Sequence, residues 1–305
     1  MRYLALLALS LVACGGSKAS TPVTPAVTVT HGPVSLPFDP AGDGDPSSVV
    51  WDEAASTLYV ADNQHDRVWS WTDANGFREI AKLPSDPAAP GRNNVGQIVH
   101  LADGTLVVPR FGFGDHGGIV FTSASGKSGV VPGLAADRRR IALTTAPDGQ
   151  MFGAYFDHPK GQSPIGTVTK VTLAGETAYA TGFKKPVAVL VHDGSLIVSD
   201  QAADTLYALP LEGAKEPYPV FAKVPNPDTL AEGPDGSLVT GQFRQTRDGE
   251  AVHLRQVFPG GRVVAIPTPF ELTKPQSVAY DRKNHRLFVA DSNARDVRTV
   301  KIIPL

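Results

Sequence analysis

The sequence predicts an all-β chain: a six-bladed β-propeller of four-stranded antiparallel blades, the last blade completed by an N-terminal strand. Three observations predict it. A phrase of about fourteen positions returns without a gap at Leu58–Trp71, Leu196–Leu209 and Leu287–Val300. Weaker copies begin at Leu106, Met151 and Leu238, so the repeat recurs about every 42 to 49 residues, the period of a four-stranded blade. Apolar residues alternate within each copy, and short turns separate the runs, which is a strand pattern and not a helical one.

The elements follow in order. In the first consensus blade Val49-Val50-Trp51 forms the inner strand, Leu58–Ala61 the second, Arg67–Trp71 the third and Arg78–Leu83 the outer one. Four inner hairpins carry Asp-Gly, at Asp103-Gly104, Asp148-Gly149, Asp193-Gly194 and Asp235-Gly236; this dipeptide accepts the positive φ of a tight turn. The last blade offers only Gln276–Tyr280, Arg286–Ala290 and Val297–Ile303. An uncovered edge there would expose backbone donors and acceptors, so Val27–Phe38, strand-like and otherwise unassigned, is expected to supply the missing outer strand.

Before that segment the chain reads MRYLALLALSLVACGGSKAS. One basic residue precedes an apolar run too short to span a membrane, and small residues flank Cys14 where a signal peptide would be cut. Leu11-Val12-Ala13-Cys14 resembles a bacterial lipobox, which implies diacylation of Cys14 and export. The expected organisation is a lipoprotein signal peptide over 1–13, a flexible tether over 14–26 rich in Ser, Thr and Pro, and the propeller over 27–305. The protein is then expected in the bacterial cell envelope, anchored through lipid to a membrane outside the cytoplasm. Cys14 is the only cysteine, so no internal disulfide can form. The net charge of −2, from 28 basic and 30 acidic residues interspersed along the chain, leaves no basic footprint for nucleic acid.

Function is sought where the repeat breaks. Aligned at the second strand, the consensus blades carry Asp62, Asp200 and Asp291, read as turn-stabilising carboxylates that accept backbone N–H groups. The other blades carry Arg110, Tyr155 and Gln242 at that position, followed by Phe111, Phe156 and Phe243 and then by longer loops. Loops joining second to third strands share one face with the inter-blade connections, so these six residues are expected to line a ligand pocket on a rim of blades two, three and five. Two loops carry Asp-His pairs, Asp115-His116 and Asp157-His158. His116 and His158, with His65 in the matching loop of blade one, are candidate general bases or metal ligands if they converge. Arg140, at the start of an inner strand, is a candidate for holding an anion in the channel.

Asp45–Trp71 (DPSSVVWDEAASTLYVADNQHDRVWSW) and Pro275–Val297 (PQSVAYDRKNHRLFVADSNARDV) resemble NHL-type repeats. The first also resembles the opening blade of the regucalcin/gluconolactonase family, lactone hydrolases with one divalent metal in the central channel. That resemblance makes Asp228, in Pro227-Asp228-Thr229-Leu230, a candidate metal ligand and catalytic residue. It places the family's other ligands at Ser47 and near Pro186-Val187, neither of which offers a carboxylate, and it makes Asn93 and Asn94 similar to a substrate-site asparagine. One divalent ion, calcium or zinc, is the cofactor it implies; one ligand of three holds such an ion poorly. The leading expectation is a lipid-anchored propeller binding a small or extended ligand at the rim. The alternatives are a lactonase- or esterase-type hydrolase with a variant site around Asp228, and a structural envelope protein with a protein-partner face.

Overall fold

Alternating apolar residues and positive-φ turns produce a chain made almost wholly of strands. The structure, a computed structural model, describes residues 34–37, 44–86, 94–242, 254–269, 272, 274–292 and 298–305. Among the described residues the strands form six four-stranded antiparallel sheets. After β1 (Val34–Pro37), the first sheet holds β2 (Pro46–Asp52), β3 (Thr57–Asp62), β4 (Arg67–Thr72) and β5 (Gly76–Lys82). The second holds β6 (Val99–His100), β7 (Leu106–Arg110), β8 (Gly118–Thr122) and β9 (Ser128–Val130), and the third β10 (Arg139–Thr145), β11 (Met151–Asp157), β12 (Ile165–Thr172) and β13 (Gly175–Phe183). The fourth holds β14 (Pro186–His192), β15 (Ser195–Asp200), β16 (Thr205–Pro210) and β17 (Val220–Lys223). The fifth holds β18 (Ala231–Glu232), β19 (Leu238–Gly241), β20 (Leu254–Val257) and β21 (Val263–Ile266). The last joins β22 (Pro275–Asp281), β23 (Arg286–Ser292) and β24 (Arg298–Pro304), and β1 pairs antiparallel with β24, Val34 opposite Ile302. Residues 27–33 and 38 of the expected closing segment lie outside the described residues, as do Cys14 and the whole of 1–26.

Apolar residues on both faces of each sheet pack between neighbours, so the core is divided among the gaps between sheets. Leu58, Val60 and Trp69 meet Phe288 and Ala290 across one gap, and Phe152, Ala154 and Val168 meet Val189 and Leu196 across another. Between the first and last sheets a charged latch reinforces the packing. Arg286, 3% exposed, donates through its two terminal nitrogens to Asp73 at 2.9 and 2.6 Å and through Nε to Asp281 at 2.7 Å. Its guanidinium lies among the rings of Trp51, Trp71 and Phe288. The buried half of this latch, Arg286 with Asp281, is costly to break from one side, while Asp73 remains about half exposed.

The glycine has positive φ in all four Asp-Gly turns, and the aspartate in two of them. Asp193 and Gly194 both have positive φ, 46° and 71°, as do Asp235 and Gly236 at 55° and 69°. The conformation matches the right-handed twist of the flanking strands.

Candidate functional site

A cavity of about 450 Å³ opens at the centre of the face on which the inner strands begin. Its position follows from a local pattern repeated around the molecule. In three sheets the inner strand opens on a proline preceded by a polar residue, Asp45-Pro46, Lys185-Pro186 and Lys274-Pro275, and a fourth such pair, Asn226-Pro227, leads toward the inner strand of the fifth sheet. Proline has no N–H to give a ladder and holds the preceding residue extended, which suits the first position of a strand.

In the consensus sheets an aspartate at the end of the second strand anchors this entry. Asp62 Oδ1 accepts the Asp45 N–H at 2.9 Å. Asp200 accepts the N–H groups of Lys184 and Lys185 at 2.8 and 2.7 Å, and Asp291 accepts that of Lys274 at 2.7 Å. All three carboxylates are 2% exposed or less. They are structural anchors that fix where the mouth residues start.

The strand then bulges. Pairing skips one residue between Pro46 and Ser48, between Arg140 and Ala142, between Pro186 and Ala188, and between Pro275 and Ser277. The residues passed over, Ser47, Ile141, Val187 and Gln276, all line the cavity. A bulge re-aims a side chain that regular alternation would send elsewhere. Asp228, following Pro227 as Val187 follows Pro186, lines it too.

One wall is aromatic. Phe111, Phe113 and Phe156 line the cavity, with Phe111 5.4 Å from Phe113 edge-on and 6.0 Å from Phe156. Arg139 steadies that wall, donating to the Phe113 carbonyl at 3.2 Å with its guanidinium 5.9 Å from the Phe111 and Phe156 rings. Polar groups adjoin it. The Lys185 ammonium donates to Gln201 Oε1 and lies 5.5 Å from the Phe156 ring, and Gln201 Nε2 donates to Asp228 Oδ1 at 2.6 Å. Lys274 and Asn94 complete the polar lining; Asn94 Oδ1 accepts from Asn63 Nδ2 at 3.0 Å. At the floor Gln97 reaches across the axis: Nε2 donates to the Val189 carbonyl and Oε1 accepts the Val189 N–H at 3.3 and 3.1 Å. Gln97 also lines a second cavity, of about 340 Å³, on the far side of that amide.

The expected rim therefore separates into two sets. Phe111, Phe156, Asp228 and Asn94 come together at the mouth. Arg110, Tyr155 and Gln242 do not: all three are buried away from the cavity, and for Tyr155 the reason is that successive strand side chains point to opposite faces and the next residue, Phe156, takes the mouth-facing place. Arg110, 4% exposed, donates to the Pro84 carbonyl and faces Asp86 at 3.8 Å. Burial lowers its pKa, opposed by Asp86 and Asp66. Tyr155, 7% exposed, lies with its ring 4.3 Å from Arg138 and 5.4 Å from Arg140. Gln242 is fully buried and donates to the Pro225 carbonyl at 3.5 Å. Phe243 lies outside the described residues, as does Asn93.

Two further expectations are corrected. Arg140 does not face the channel: its guanidinium grips Glu176 at 2.6 Å and donates to the Ala135 and Arg138 carbonyls. An arginine with its donors so engaged has little left for an anion. Nor do the histidines converge. His116 pairs with Asp86 at 3.3 Å, His65 with Asp62 at 3.0 Å, and His158 is exposed on the β11–β12 loop. None of them lines the mouth cavity. The neighbouring Asp157 has its pKa raised by burial, against the pull of Arg138.

The sequence reading missed Lys185, Gln201 and Lys274 because they belong to the most regular blades. The recurring X-Pro at the start of inner strands was the available signal. The three positions that the family resemblance assigned to metal ligands do meet here, Ser47, Val187 and Asp228. Only one is a carboxylate, and Lys185 is one glutamine away from it. Among the described residues no group of three or more His, Cys, Asp or Glu is placed to hold a metal ion. Hard divalent cations require several oxygens, so this donor set does not fit one.

No family model and no curated protein matches the chain. Solved structures do. A gluconolactonase from Xanthomonas campestris is 19% identical with a TM-score of 0.62, covering 93% of this chain and 99% of its own. A calcium-binding regucalcin from Agrobacterium tumefaciens is 13% identical with a TM-score of 0.64, over 88% of this chain and 90% of its own. A streptogramin B lyase is 13% identical with a TM-score of 0.61, over 89% and 97%. The chain is thus similar to regucalcin/gluconolactonase-like and streptogramin-lyase propellers. At such identities the likeness carries the fold, and sites on a shared fold diverge freely.

Proposed function

We propose that this chain is a lipid-anchored envelope propeller that binds a small organic ligand at the central mouth. The ligand class is one with a flat apolar part and polar oxygen groups. The observation that carries the reading is the cavity itself: about 450 Å³, lined by the rings of Phe111, Phe113 and Phe156 together with Lys185, Gln201 and Asp228. Volumes of this order, mostly apolar with a few converging polar groups, suit small-molecule sites. Phe113 supports it from outside: it is a large apolar side chain left 51% exposed on a backbone of positive φ, a cost that folding alone does not explain.

We further infer that the six sheets are the six blades of one closed ring with β1 as the closing strand, and that Cys14 carries the lipid. Support for the anchor comes from the apolar run and small residues before Cys14. A metal-assisted hydrolase around Asp228 is the second reading. It has in its favour the place of Asp228 at the mouth and the likeness to a gluconolactonase and a lyase; against it stands the donor set.

The test is ligand-detected NMR with arylalkanoates and their primary amides, using purified protein and the Phe111→Ala variant. Loss of one stacked ring is expected to weaken binding about 10-fold. Binding unchanged in Phe111→Ala, or absent from the wild type across the panel, refutes the mouth as the site.

A further inference from the structure

We infer that the gap between the first two sheets holds a second binding site, on the flank of the molecule, for a phosphorylated sugar. A cavity of about 740 Å³ opens there, between β3, β4 and β5 of the first sheet and β6 to β9 of the second. It shares no lining residue with the mouth cavity, so neither site depends on the other.

The lining departs from that of other gaps. Between the third and fourth sheets aromatic rings fill the space, with Phe152 5.2 Å from Tyr179 and Phe183 5.0 Å from Tyr218; between the last and first, Trp71 lies 5.5 Å from Phe288. Between the first and second sheets the apolar packing is supplied by Val68, Leu106, Val120 and their neighbours, and the walls of the cavity carry the hydroxyls of Ser70, Thr72, Thr122, Ser123 and Ser128. Serine and threonine are too short to close the gap that rings close elsewhere. The space stays open and polar.

Its charge has one sign. Arg78 and Lys82 line the cavity, and among the described residues no carboxylate does. The acids of the same sheet are engaged elsewhere: Glu79 with Arg67 at 3.1 Å, Asp73 with Arg286 at 2.6 Å, and Asp52 with His100 at 3.3 Å. Ser70 is paired in register with Tyr59 on one side and with Arg78 on the other, so phenol, hydroxyl and guanidinium form one row across the wall. Burial raises the pKa of Tyr59, and Asp52 adds to the rise, which keeps the phenol protonated as a donor. Among the described residues the side chains of Tyr59, Ser70, Arg78 and Lys82 have no hydrogen-bond or ion-pair partner. Two cations match a phosphate monoester, which carries about −1.5 to −2 charges at pH 7, and arginine offers it paired donors. Hydroxyl groups both donate and accept, which suits the hydroxyls of a sugar.

The experiment is calorimetric titration with glucose 6-phosphate, glucose 1-phosphate, glucose and inorganic phosphate at low ionic strength, where exposed charges are least screened. At least one sugar phosphate is expected to bind about 10-fold more tightly than either glucose or inorganic phosphate, the scale of one charge-assisted contact added to the rest. Combining Arg78→Ala with Lys82→Ala should weaken that binding about 10-fold or more. Both side chains are exposed, so the double variant should keep the melting temperature of the wild type. Phe111→Ala, at the mouth, should bind the sugar phosphate unchanged. The inference is overturned if neither sugar phosphate binds saturably, if inorganic phosphate binds as tightly, or if binding survives in the double variant. Loss of sugar-phosphate binding in Phe111→Ala overturns it too, by placing that ligand at the mouth.

Discussion

Replacing Asp200 by alanine should damage both stability and the site, and the structure gives the scale. The carboxylate is 1% exposed and accepts two backbone N–H groups, from Lys184 at 2.8 Å and Lys185 at 2.7 Å. Removing it leaves both donors without their acceptor, at about 1–3 kcal/mol for each that stays buried. Lys184 is exposed, so water can serve its amide and the sum falls toward about 2–4 kcal/mol. For a chain of this size each kcal/mol moves the melting temperature by about 2–4 °C. Urea unfolding at pH 7, followed by tryptophan fluorescence, measures the loss. Asp200→Asn keeps one acceptor oxygen without the charge and should cost about half as much. In both variants binding of arylalkanoates at the mouth should weaken, since the backbone of Lys185, a residue of the cavity lining, loses its anchor. A stability loss below about 1 kcal/mol for Asp200→Ala, against the range above, would refute the anchoring role and with it the preorganisation of Lys185.

Three other outcomes are expected. Tyr155→Ala should cost about 3–5 kcal/mol of stability, as for other buried aromatics, while the protein that remains folded binds the aryl probes normally; weakened binding by well-folded Tyr155→Ala would put the tyrosine back at the site. Deleting residues through Pro37 should uncover the β24 edge, lower the melting temperature and promote aggregation; an unchanged melting temperature would show that β1 does not close the ring. Cys14→Ser should abolish incorporation of labelled lipid, and lipid retained on that variant would exclude the anchor.

The period of the repeat, the alternation within it and the Asp-Gly turns were enough to read four-stranded antiparallel sheets from the chain, because each depends on contacts a few residues apart. The aspartates Asp62, Asp200 and Asp291 were legible as backbone acceptors from their place before a turn, but not the N–H groups at the inner-strand entry that they hold, which lie about 15–17 residues earlier in the chain. The functional rim was only half legible. Departure from consensus pointed to Phe111 and Phe156, which line the cavity, but gave equal weight to Arg110, Tyr155 and Gln242, which are buried away from it; at Tyr155 period-2 alternation is the reason. Gln201 carried no mark, and Lys185 only its place before Pro186, since both sit in a blade that follows the repeat.

The sequence by itself determined what kind of sheet each stretch makes and which residues punctuate it. Tertiary structure alone decided which side chains meet at the axis. Ser47, Ile141, Val187 and Gln276 lie in the inner strands of four sheets, and Gln97 and Asp228 just before those of the other two, so their meeting depends on how those sheets are arranged around a centre. Bulges that shift pairing by one residue then set which way each side chain points. Neither quantity has a local signature: a one-residue bulge leaves the apolar pattern almost unchanged, yet it exchanges a buried position for one at the mouth.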